Sequence, residues 1–136
     1  MMAAVATTSS CTKTCDPGYE GSDCKTEQRT KYFGTYSLSG TDNGTPAGTY
    51  TNVNTTVSTS STGVQNLNIL IGSGISLQIK LDEAGTAFTV VGPTSGNFTY
   101  TGTGSFTSSS LTLVNLTETK TSDNTVLVYN LSGAKQ

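Results

Sequence analysis

Three cysteines, Cys11, Cys15 and Cys24, hold all the thiol chemistry of this 136-residue chain. A thiolate can carry a lipid, join a second thiol or ligate a metal, and its compartment and neighbours select among these. Histidine is absent, which removes both the commonest general base and the commonest metal ligand. The carboxylates are dispersed: Asp16, Glu20 and Asp23 lie near the N-terminus, and Asp42, Asp82, Glu83, Glu118 and Asp123 fall mostly at expected turns. Asp82 and Glu83 are adjacent, so on a strand they would point to opposite sides. Gly102-Thr103-Gly104 is not a nucleotide loop, because no helix follows to receive a phosphate. The residues therefore predict no enzyme, no metal and no cofactor. A net charge of −2 with seven scattered basic residues also predicts no nucleic-acid partner.

The N-terminus places its small and apolar residues, Met1 to Ser10, directly before Cys11. Thr8-Ser9-Ser10-Cys11 resembles a relaxed bacterial lipobox, of the type common in Bacteroidota, with residues 1–10 as the remnant of a lipoprotein signal peptide. The resemblance implies lipid attachment at Cys11, where acyl chains would partition into a bilayer at roughly 0.8 kcal/mol per buried methylene. The alternative is an Ala/Thr/Ser leader in which Cys11 is a spare thiol. Cys15-Asp16-Pro17-Gly18-Tyr19-Glu20-Gly21-Ser22-Asp23-Cys24 resembles the last disulfide loop of an EGF-like domain. That likeness implies a Cys15–Cys24 pair, and an odd cysteine count then leaves Cys11 for lipid. Closing so short a loop restrains the unfolded chain by roughly 3 kcal/mol. Outside these ten residues the EGF pattern fails, since Lys13 stands where a cysteine belongs, so EGF-type calcium binding is not carried over. Residues 11–28 then read as a short disulfide-closed stalk, and a disulfide implies an oxidising compartment.

The elements that must position any site lie in residues 29–136. About a third of the chain is Ser or Thr, with 15 Gly, a bias towards β-structure and turns. Ile75, Leu77, Ile79 and Leu81 alternate with Ser76, Gln78 and Lys80, the cleanest strand pattern in the chain. Leu67, Ile69 and Ile71 share the face of a preceding strand, joined through a turn at Gly72-Ser73-Gly74. Further strands are expected at 33–39, 48–59, 86–91, 97–107, 110–118 and 125–131, separated by turn signals such as Asp42-Asn43-Gly44 and Glu83-Ala84-Gly85. The parity change from Leu111 and Leu113 to Val114 and Leu116 predicts a bulge. Gly102 and Gly104 share a face with Phe98, Tyr100 and Phe106, which would let that strand bend sharply. The fold class is all-β: about eight antiparallel strands in a meander barrel, with a β-sandwich as the alternative.

The order of these parts, with Gln28 to Tyr36 (QRTKYFGTY) following the loop and Thr101 to Ser105 (TGTGS) later, resembles small Bacteroidota lipoprotein chains with a lipocalin-like β domain. The resemblance implies a calycin-type barrel and an exported outer-membrane lipoprotein, on the periplasmic or cell-surface face, tethered to the membrane through Cys11. It implies a binding or structural module holding a small apolar or glycan ligand. The alternative is an accessory subunit with a protein partner in an envelope or surface complex. The chain has no Trp, so Gly34-Thr35-Tyr36 would stand for the Gly-x-Trp of true lipocalins. Tyr36, Tyr50 and Tyr100 are the candidate ligand-stacking rings, against a rim or core role for each.

Overall fold

The computed structural model describes residues 15–72, 74–92 and 97–136. The expected lipid attachment at Cys11, the leader 1–10 and the segment 12–14 lie outside the described residues, as do Ser73 and the turn at 93–96. Two short strands, β1 (Tyr19–Glu20) and β2 (Thr26–Glu27), form a hairpin, and a 3-10 helix (Gln28–Tyr32) follows. Eight strands then run in a meander: β3 (Gly34–Asp42), β4 (Thr49–Thr59), β5 (Asn66–Ile71), β6 (Ile75–Leu81), β7 (Ala87–Gly92), β8 (Phe98–Phe106), β9 (Ser110–Lys120) and β10 (Val126–Lys135). All neighbours are antiparallel, and β10 pairs with both β9 and β3, so the sheet closes into a barrel rather than a sandwich.

Alternation decides which side chains go inside. Leu38, Leu67, Ile69, Leu77, Ile79, Leu111 and Leu116 have 0 % exposure. Each such side chain stabilises the fold by roughly 1.5–3 kcal/mol relative to exposure. With no accessible surface, these side chains border no water-sized void, and the middle of the barrel is filled rather than hollow.

The expected irregularities are where the curvature is made. Leu113 faces Leu131 and Leu116 faces Tyr129, so Val114 and Asn115 together oppose Asn130. Asn115 takes φ 51, and its N–H donates to Asn130 Oδ1 at 2.9 Å. The bulge turns Leu113 and Leu116 both inward and leaves Val114 42 % exposed. Across from it, Gly102 has φ 148, and the β8–β9 register shifts between Thr101 and Thr103. Gly104 lies under the Phe88 ring, where a Cβ would come within 2.3 Å of both Phe88 Cζ and the Thr112 carbonyl oxygen.

Several boundaries differ from the sequence expectation. β10 continues through Ser132, Gly133, Ala134 and Lys135, where no apolar alternation marks a strand; these residues pair with Ser39, Leu38, Ser37 and Tyr36. β6 ends at Leu81, so Asp82 and Glu83 sit in the β6–β7 turn and not on opposite sides of a strand. Asp82 Oδ1 accepts the N–H groups of Gly85 at 2.8 Å and Thr86 at 3.2 Å, which makes it a turn-forming residue.

Cys15 and Cys24 are joined by a disulfide. The closed loop is held against one end of the barrel: the Gln28 N–H donates to the Gly18 carbonyl at 2.8 Å, and Gly18 lies against the side chains of Val64 and Gln65. The 3-10 helix plugs this end. Arg29 Nη1 donates to the carbonyls of Ser60 (2.8 Å), Gly63 (2.8 Å) and Asn66 (2.7 Å), fixing the β4–β5 connection. Tyr32 stacks on Phe106 at 4.3 Å, and its hydroxyl donates to the Gly85 carbonyl.

Gly104→Ala is expected to lower unfolding stability by about 1–3 kcal/mol, through displacement of Phe88 and the β9 backbone. Gly74→Ala is the control, because nothing lies within 4 Å of its added Cβ. Urea denaturation measures both, and a Gly104→Ala midpoint equal to the parent would contradict the close approach.

Candidate functional site

The end of the barrel opposite the plug gathers polar and aromatic side chains from five strand ends. β3 delivers Asp42, β4 Tyr50, β8 Phe98 and Tyr100, β9 Glu118 and β10 Tyr129. These positions continue the inward-facing rows of the strands, so the sequence that builds the core also aims them at the mouth.

Two carboxylates organise the cluster. Asp42 opens the β3–β4 loop, and its Oδ1 accepts the N–H groups of Gly44 and Gly48, each at 2.8 Å, while Oδ2 accepts the Tyr50 hydroxyl. Asn43 ties that loop to β10: its Oδ1 accepts the Val128 N–H at 2.8 Å, and its own N–H donates to the Val128 carbonyl at 3.0 Å. Glu118 accepts the Tyr100 hydroxyl on Oε2 at 2.7 Å and the Tyr129 hydroxyl on Oε1 at 3.2 Å. The Tyr50 and Tyr129 rings meet at 5.8 Å with a tilt of 52°, which links the two carboxylate groups into one network.

The electrostatics follow from these bonds. The Tyr50 hydroxyl, then the Gly48 and Gly44 N–H groups, hold the Asp42 carboxyl below its usual range. Hydrogen bonding to Asp42 raises Tyr50. Burial raises Tyr100, with the Glu118 hydrogen bond and charge adding to it; burial also raises Tyr129, reinforced by the Glu118 charge. At neutral pH the mouth therefore presents neutral phenols against an ionised Asp42. Phenols pushed up are poor nucleophiles, and a carboxyl pushed down is a poor general acid. What the arrangement can do is accept and donate hydrogen bonds beside aromatic rings. Among the described residues, no group of three or more His, Cys, Asp or Glu side chains is placed to hold a metal ion.

Of the three rings singled out from sequence, the mouth brings together Tyr50 and Tyr100. Tyr36 is elsewhere, in the core role that stood as the alternative to ligand stacking. It is 1 % exposed, tilts against Phe106 at 6.1 Å and donates to the Tyr32 carbonyl at 2.9 Å, so it is a core ring near the plugged end. Its burial pushes its phenol up to about 12. Tyr100 is also largely covered, at 6 % exposed, which leaves half-buried Tyr50 as the reachable ring of the three. Sequence reasoning missed Asp42, Glu118 and Tyr129 as partners. Their signal was parity: Glu118 lies two positions from inward Leu116, and Tyr129 two from inward Leu131.

The five raised phenols, Tyr32, Tyr36, Tyr50, Tyr100 and Tyr129, predict a pH dependence. A folded-state pKa above the unfolded value of 10.0 gives stability that is intact below pH 10.0 and falls as pH rises towards the folded values. Asp42 acts at the other end: its contribution is intact above the unfolded value of 3.8 and is lost as pH falls through its depressed folded value. Tyrosinate absorbance followed with circular dichroism should show these phenols ionising together with unfolding, above pH 10.0. Independent ionisation in the folded chain near pH 10.0 would contradict the network.

No family model, curated protein or solved structure matches this chain, so the reading of the site rests on its own geometry.

Proposed function

We propose that this chain is a non-catalytic, exported β-barrel module, tethered to the outer membrane through lipid on Cys11. It acts as a binding or structural unit of the envelope, on the periplasmic or cell-surface face. The observation that carries this reading is the Cys15–Cys24 disulfide. It fits an oxidising compartment and accounts for two of the three thiols, which leaves Cys11, behind its small-residue run, for the lipid.

The geometry also favours one presentation. The segment bearing Cys15 lies against the plugged end, and the Tyr50–Asp42–Tyr129–Glu118–Tyr100 network lies at the other. A tether leaving through residue 11 therefore sets the mouth away from the bilayer. The filled interior turns ligand carriage into a rim function: the mouth offers half-buried Tyr50 and Phe98, at 36 % exposed, beside carboxylate acceptors. Rings beside acceptors suit a glycan, whose C–H faces stack and whose hydroxyls donate. A protein partner is the second reading: Asp16, Pro17 and Asp23 of the disulfide loop are exposed.

Mass spectrometry of the protein isolated from its native membranes should find a diacylglyceryl group on Cys11, with Cys15 and Cys24 still joined. Cys11 recovered as a free thiol or within a disulfide would contradict the tether. In the same preparation, thermal shifts against a glycan panel should disappear in Tyr50→Ala, and an unchanged profile would remove the mouth from ligand binding.

A further inference from the structure

The β3–β4 loop holds a reactive pair of residues that ligand binding leaves unused. Among the asparagines of the chain, only Asn43 is followed by glycine. The backbone nitrogen of the next residue can attack an asparagine amide, and glycine, lacking a Cβ, obstructs that attack least. Asn43 is exposed, so water is at hand to complete the reaction.

The chemistry balances without a cofactor. The Gly44 nitrogen loses its proton and bonds to Asn43 Cγ, the Cγ–Nδ2 bond breaks, and the proton leaves on ammonia. The five-membered imide then takes up one water. Opening at Cγ gives aspartate, and opening at the main-chain carbonyl gives isoaspartate, with one extra carbon in the backbone.

In the folded chain both reacting groups are engaged elsewhere. The Gly44 N–H donates to Asp42 Oδ1 at 2.8 Å. Asn43 is held on β10, where its Oδ1 accepts the Val128 N–H at 2.8 Å and its own N–H donates to the Val128 carbonyl at 3.0 Å. Asp42 is fixed in turn by the Gly48 N–H and the Tyr50 hydroxyl. The attacking nitrogen therefore faces a β3 carboxylate while its target faces β10. These bonds must open before the two can meet.

We propose that Asn43 is a site of spontaneous deamidation kept slow by the mouth network, so that loosening of the mouth is recorded as a permanent covalent change. The product acts back on the network. Isoaspartate lengthens the backbone between Asp42 and Gly44, which displaces the contacts with Val128 and the turn around Asp42. Aspartate adds a carboxylate next to Asp42, where like charges repel. Either product weakens the end of the β3–β10 seam, where Tyr129 faces Asp42. The inference stands whether or not the mouth binds a glycan or Cys11 carries lipid.

The test incubates the full chain in mildly alkaline buffer beside a peptide of its own sequence from Thr41 to Thr49. Peptide mapping by mass spectrometry then separates asparagine, aspartate and isoaspartate at position 43. The folded chain should convert at least about tenfold more slowly than its peptide, the scale of one hydrogen bond to a charged group. Asp42→Ala should remove most of that difference, with circular dichroism showing the variant still folded. Tyr50→Phe, which removes only the hydroxyl on Asp42 Oδ2, should speed conversion by a smaller factor. Equal rates in parent chain and peptide would overturn the proposal, as would an unchanged rate in folded Asp42→Ala. If Asp42→Ala unfolds, Tyr50→Phe decides, and a rate equal to the parent's there overturns it.

Discussion

Closure between β3 and β10 is the constraint on which the rest of the structure depends. These strands lie at opposite ends of the meander, and their pairing from Tyr129–Asp42 to Lys135–Tyr36 consumes the last two free edges of the sheet. Thr-rich strands with unpaired edges would offer backbone donors and acceptors to other chains. With 33 % of residues of hydrophobic type, one face of the sheet can be apolar and the other cannot. Curling buries the apolar face against itself, with no second layer needed.

The two ends of the closed barrel are then solved differently. One is stoppered by a polar 3-10 helix whose Arg29, Tyr32 and Gln28 reach carbonyls on the surrounding turns, backed by the disulfide loop. The other keeps its inward positions polar and aromatic, satisfied through Asp42 and Glu118. Between them lies a filled core. The division places recognition chemistry at the ends, where side chains meet solvent, and gives the middle to stability alone. Buried phenols with carboxylate partners also rigidify the mouth, since each hydroxyl left without its acceptor would be costly.

Much of this was legible in the chain. The strict alternation of Ile75 to Leu81 fixes an inner and an outer face without reference to any neighbour. The parity switch after Leu113 is a bulge, and Gly102 and Gly104 sit where the sheet must bend. What was hidden depends on partners far away in sequence. Gln28 to Tyr32 have no apolar period, and the carbonyls that Arg29 Nη1 holds lie 31 to 37 residues later. Ser132 to Lys135 show no apolar alternation, yet Gly133 fits because Ser37 and Leu38 backbone atoms approach within 3 Å of where its Cβ would lie. The mouth cluster was half visible: Tyr50 and Tyr100 stood out as aromatic residues, but pairing them with Asp42 and Glu118 needs the register, which local pattern does not supply.

Register at the seam is accordingly the most direct measurement. Proton NMR of the folded chain should show cross-strand contacts between the backbones of Gly133 and Leu38 and of Leu131 and Gly40, with slow exchange of the seam amides. Absence of those contacts, with β3 and β10 amides exchanging as freely as an exposed edge, would contradict the closed barrel and the two-ended molecule built on it.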